Sequence, residues 1–151
     1  MTVTDEYVAA LRAYLTGDPT AFDAISGRLA ERDGDEGGNT FGALLGMAFV
    51  VAARRRFAAG YTDGDIVQVV AQARAAFAGR SDGIDPLAAE RMLRAVLGGV
   101  PAEGVDERVK AVVIPALLLE LTNQEQLRGH TLDAYLAETR ALTERVQAGL
   151  R

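Results

Sequence analysis

Glu120 is the carboxylate whose setting most suggests chemistry. It interrupts the run Leu117-Leu118-Leu119-Glu120-Leu121, inside a stretch that is otherwise apolar. A buried acid is costly unless it is paired. Held in a pocket, it acquires a shifted pKa suited to proton transfer or ligand binding. Arginine is its natural partner, and Arg54, Arg55 and Arg56 stand together at the end of a second apolar run. Glu120 and Arg55, with Tyr61 just beyond the arginines, are therefore the ligand-binding candidates. The competing reading is structural. Glu120 then belongs to an ion pair, and the arginines are helix-end cations that offset the dipole. Three consecutive residues fan around most of a helical turn, so the arginines do not all face one ligand. At least one turns towards neighbouring helices and an acid.

Other chemistry is thinly represented. His130, the only histidine, lies in the turn Arg128-Gly129-His130-Thr131, with no serine or aspartate in a triad-like relation to it. One histidine does not build a zinc site without converging carboxylates. The chain has no cysteine, which excludes disulfides, thiolate metal sites and cysteine nucleophiles. The acidic stretch Asp33–Asn39 hints at calcium. An EF-hand loop needs glutamate at its twelfth position, where Leu44 stands, and the loop starting at Asp63 has Arg74 there. Both read as solvated turn or cap acids. The phosphate-loop, dinucleotide and serine-hydrolase glycine motifs are missing. No catalytic residue, metal or cofactor is expected.

The elements that would position these groups read as helices. No stretch alternates apolar and polar residues as a half-buried strand does. Thr4 is placed to cap a first helix with Val8, Leu11 and Leu15 inward, ended by Gly17. Asp18-Pro19 then starts a second helix, a cap followed by proline at the first helical position. It buries Phe22, Ile25 and Leu29. Glycines and acids make Asp33–Asn39 a loop. Asn39 or Thr40 then caps the run Phe41–Phe57. Thr62 caps a helix over Asp63–Ala78 with Ile66, Val69, Val70, Ala73 and Phe77 on one stripe. A second loop, Gly79–Ile84, leads to Asp85-Pro86 and a helix carrying Leu87, Leu93, Val96 and Leu97, closed by Gly98-Gly99. Asp106 opens a helix with Pro115 inside it. Short helical structure is expected over Asn123–Arg128. Thr131 caps the last helix, with Leu132, Tyr135, Leu136, Leu142 and Val146 inward.

The fold class expected is all-α. One domain over 1–151 forms a compact bundle of six to seven helices around two central apolar helices, at about 41–57 and 107–121. A helix apolar on every side must be covered on every side. The pocket for Glu120, Arg55 and Tyr61 would lie between these two, near Pro115. From Phe41 to Ala53 no side chain is polar, yet as a helix this stretch spans only roughly 20 Å against about 30 Å of hydrocarbon. It reads as core and not as a membrane anchor. Gly42 and Gly46 give it a GxxxG spacing, which lets a neighbouring helix, or a second copy, approach closely.

Charge narrows the partners. The net charge is −5 and no basic face is segregated, which disfavours nucleic acid. Fifteen of the sixteen basic residues are arginine, and alanine is frequent, as in GC-rich bacterial genomes. The N-terminus carries acids early and lacks a basic n-region, so a cytoplasmic location is expected.

The segments Phe41–Phe57, Thr62–Arg74, Ile84–Gly98 and Leu132–Leu142 (FxxLLGxAFxxAxRRRF, TxxDIVxxVAxxR, IDPxxAERxxRAVLG and LDAYLAETRxL) resemble small uncharacterised helical proteins of actinobacteria. That group has no assigned activity. The resemblance implies source and fold class, and brings no functional residue with it. The expected function is protein–protein interaction or regulation without catalysis, through a second copy of the chain or another protein. The alternative is a small-molecule binder or enzyme using the pocket between the apolar helices.

Overall fold

The computed structural model describes residues 2–77 and 83–149. The protein is all-α: among these residues there are six helices and no strand. They are α1 Asp5–Leu15, α2 Pro19–Arg56, α3 Asp63–Ala76, α4 Pro86–Gly98, α5 Glu107–Glu125 and α6 His130–Gln147. Residues 79–82 of the loop expected over Gly79–Ile84 lie outside the described residues, as does Ala78.

Local chemistry sets most helix ends. Asp18 Oδ1 accepts from the Ala21 amide at 3.0 Å. Thr62 and Asp65 form a reciprocal capping box, and Asp85 caps α4 ahead of Pro86. Gly99, at φ +68, closes α4 in the left-handed conformation that glycine adopts without strain. Asp106 caps α5, which runs on to Glu125 and ends at Gln126, at φ 54. Residues 123–125 therefore extend α5. Thr4 precedes α1, but its buried Oγ1 makes no hydrogen bond. Gly129 takes the N-cap position of α6. Thr131 lies inside the first turn, accepting from the Arg128 amide and donating to the Arg128 carbonyl.

The expected loop over Asp33–Asn39 is helix. Only Gly34 leaves the helical region, at φ 59 and ψ −136, so α2 consists of limbs 19–33 and 35–56 about that residue. Thr40 is not a cap. It is buried within the second limb and donates to the Glu36 carbonyl at 2.9 Å. Propensity is a weak prior, and a contact made by Asp33, described below, outweighs it here.

The helices group into two compact units, one holding the described residues up to Ala48 and from Leu127 onward, the other Phe49–Gln126. The first has α1, most of α2 and α6. Its interior is built on Val3, Tyr7, Leu11, Leu44, Tyr135 and Leu136, and the Tyr135 hydroxyl donates to the Ala48 carbonyl. Arg12 pairs with Asp133 and Arg140 with Asp5, both between α1 and α6. The second unit has the end of α2 with α3, α4 and α5. Ile66, Val69 and Ala73 of α3, Leu93 of α4, and Leu117, Leu118 and Leu121 of α5 are buried there, as the helical spacing predicts.

Cover is uneven along the two apolar runs. In α2, Leu44, Ala48, Phe49 and Ala53 are buried, whereas Gly42 and Ala43 are exposed and Leu45, Gly46 and Met47 partly so. In α5, Val113 and Ala116–Leu118 are buried, but Ala111 and Val112 are exposed. Leu87 and Val146, expected inward, are 66% and 54% exposed. Leu87 sits in the first turn of α4 and Val146 in the last turn of α6, where fewer neighbours overlie a helix. α5 continues through Pro115. The carbonyl that proline leaves without a donor belongs to Ala111, an exposed residue, so water can serve it.

No helix among the described residues is long and apolar enough to cross a membrane.

Candidate functional site

Arg55 forms an ion pair, and its partner is Glu125. Its Nε and Nη2 donate to both carboxylate oxygens of Glu125, at 3.1, 3.2 and 2.8 Å. Glu120 lies five residues earlier on α5, about 140° around the helix at 100° per residue. It is half-buried and has no ion pair or hydrogen-bond partner for its side chain among the described residues. Arg56 points elsewhere: its Nε donates to Gln124, which donates in turn to Gln72 of α3. The Arg56 guanidinium also lies 5.2 Å from the centre of the Phe57 ring. Tyr61 packs edge-on against the same ring, at 5.6 Å, and stays 45% exposed. Arg54 is exposed. The arginine fan thus behaves as geometry requires, with one member engaging an acid and one an amide. Arg55 and Glu125 together clamp the end of α2 to the end of α5.

His130 is exposed at the start of α6. No group of three or more metal-ligating side chains occurs among the described residues. Asp63 meets Arg94 at 3.3 Å, and Asp65 is spent on the capping box.

A polar cluster that sequence reasoning missed lies in the first unit. Tyr7, 2% exposed, donates its hydroxyl hydrogen to Asp33 Oδ2. Arg32 Nε and Nη2 donate to the two Asp33 oxygens at 3.0 Å each, and Arg32 Nη1 donates to Glu6 at 2.6 Å. Burial, and then the Asp33 carboxylate, raise the Tyr7 phenol above its ordinary pKa. Arg32 first and Tyr7 second hold Asp33 below the ordinary carboxylate range. The Asp33 bond raises Arg32 in turn. A carboxylate accepting three hydrogen bonds with a depressed pKa is a poor proton acceptor at neutral pH. The cluster is therefore an architectural latch, fixing α1 to α2 where α2 breaks. Asp33 is not the solvated turn acid expected. No local spacing announces a contact across 26 residues.

Glycines in α2 divide into two kinds. A Cβ at Gly37 would lie 3.1 Å from Asp33 Cβ, 3.2 Å from the Tyr7 hydroxyl and 3.3 Å from the Leu29 carbonyl. Packing against the latch therefore requires glycine there. A Cβ at Gly38, Gly42 or Gly46 would meet nothing within 4 Å. Spaced by four, these three share one face of the second limb. Half-open Leu45 lies on the same face, about 20° from Gly38 and 60° from Gly42 at 100° per residue. Among the described residues, the GxxxG spacing is therefore not used for close packing.

No protein-family model, curated protein or solved structure matches the chain.

Proposed function

We propose that this protein is a non-catalytic interaction module that associates with a second copy of itself through the open glycine face of α2. The observation that carries the reading is the set Gly38, Gly42 and Gly46, where a Cβ would meet no described atom within 4 Å beyond its own stretch of helix backbone. Glycine inside a helix costs about 0.5–1 kcal/mol relative to alanine. Three such positions weaken the second limb of α2, and the chain's own packing gains nothing from them. Backbone approach by another helix would use that room. On the same face, partly open Leu45 would supply apolar area. A face read by its own copy across a two-fold axis is the commonest route to a closed oligomer.

Cross-linking of the purified chain with a carboxylate-reactive dihydrazide, followed by peptide mapping, tests the reading. Intermolecular links at Asp35 or Glu36, in the second limb of α2, are expected. A chain that yields only intramolecular links contradicts it.

A further inference from the structure

The second unit holds a half-open cavity of about 220 Å³ between the first turns of α4 and the start of α5. Among the described residues, three charged ones line it: Asp85, Arg91 and Asp106. Each aspartate caps its own helix through Oδ1 alone. Asp85 Oδ1 accepts from the Leu87 and Ala88 amides, and Asp106 Oδ1 from the Arg108 amide. The second oxygen of each carboxylate has no partner among the described residues, and neither has the Arg91 guanidinium. Opposite charges thus line one cavity without closing an ion pair across it. The other described residues of the wall are Leu87, Ala88, Gly104, Val105 and Val109, with an apolar surface from the leucine and valines. Leu87 is 66% exposed, the most open large apolar side chain described. Gly104 sits at φ +74, and a Cβ there would stand 3.5 Å from Arg91 Nη1, so glycine keeps the guanidinium's side of the cavity clear.

We infer that this cavity binds a small zwitterion with an aliphatic body, the chemistry of a free aliphatic α-amino acid. The ligand's ammonium meets the unused oxygens of Asp85 and Asp106. Its carboxylate meets Arg91, whose planar fork suits two-point contact. Its side chain covers Leu87, Val105 and Val109. Size favours this class, since drug-sized ligands occupy pockets of about 300–1,000 Å³. Charge favours it too. Two carboxylates oppose a simple anion at Arg91, and Arg91 opposes a simple cation at the carboxylates. Weak affinity is expected, because half-open charges remain partly screened by water. The inference is independent of self-association through α2, which involves the other unit.

The test is a titration of the full ¹⁵N-labelled chain with L-leucine, followed by amide shifts at Leu87, Ala88, Gly104 and Val105. Saturable shifts at these amides are expected. L-leucinol lacks the carboxylate and 4-methylpentanoate lacks the ammonium, and each should bind about tenfold more weakly or worse, as should R91Q. R108Q removes a nearby arginine outside the cavity and should bind as the native chain does. Absence of saturable shifts overturns the inference. So do equal affinities for leucine and its two analogues, or an R91Q variant that binds leucine unchanged.

Discussion

Tyr7 and Asp33 stand 26 residues apart and share a hydrogen bond beside the one residue, Gly34, at which α2 leaves the helical region. The break and the bond belong together. Gly34 turns the chain just after Asp33, and the Asp33 carboxylate fastens the end of the first limb to α1.

Removing the donor should loosen this latch. Y7F is expected to lower unfolding stability by about 1.5–3 kcal/mol, the net worth of a hydrogen bond to a charged group. Chemical denaturation of the two proteins measures it. An unchanged midpoint would mean the bond contributes nothing.

The latch should also be visible in the pH dependence. Asp33 is depressed in the folded state, so its contribution is complete above the unfolded value of about 4 and is lost as pH falls through the lower folded value. Tyr7 is raised, so its contribution is complete below about 10 and is lost as pH rises through the higher folded value. Stability measured from pH 8 to 11 should therefore fall less steeply in Y7F than in the native chain. Equal slopes would contradict the buried, neutral Tyr7.

Glycine substitutions in α2 should change stability in opposite directions. G38A, where the Cβ is unopposed, should stabilise the isolated chain by about 0.5–1 kcal/mol. G37A gains the same helix propensity, but its Cβ crowds Asp33 and Tyr7, and overpacking of this kind costs about 1–3 kcal/mol. G34A forces a side chain onto φ 59, ψ −136, at a cost of about 1–3 kcal/mol. Thermal unfolding should rank G38A above native, and native above both others. Any other order would place these residues wrongly.

The Arg55–Glu125 pair should matter less than its geometry suggests. Both side chains are about one-third exposed, at 34% and 27%. R55Q is expected to lose about 1 kcal/mol or less, with the loss shrinking in high salt. A larger or salt-independent loss would show that the clamp is effectively buried.

Most helix boundaries were legible because they rest on neighbours in sequence. Thr62, Asp85 with Pro86, and Gly99 each satisfy local backbone groups or end a helix, and each works where the pattern puts it. The Ile66–Val69–Val70–Ala73 stripe was legible for the same reason. Asp33–Asn39 was not. Its composition argues for a loop, and the contact that favours helix comes from Tyr7, far away in sequence. The partner of Arg55 was equally hidden. Either acid in the C-terminal half of α5 answers the charge argument, and only the helix's rotation presents Glu125 and not Glu120. Exposure was misread where a side chain's neighbours depend on packing between helices, as at Leu87 and Val146.

Sedimentation equilibrium on the native chain and a G42L/G46L variant tests the central claim most directly. The native chain should show a reversible monomer–dimer equilibrium. A Cβ at either position meets nothing within 4 Å, and the leucine side chains should block close backbone approach and shift the variant to monomer, with helix content measured alongside to check that the fold is kept. A native chain that stays monomeric at all concentrations, or a variant that dimerises equally well, would contradict it.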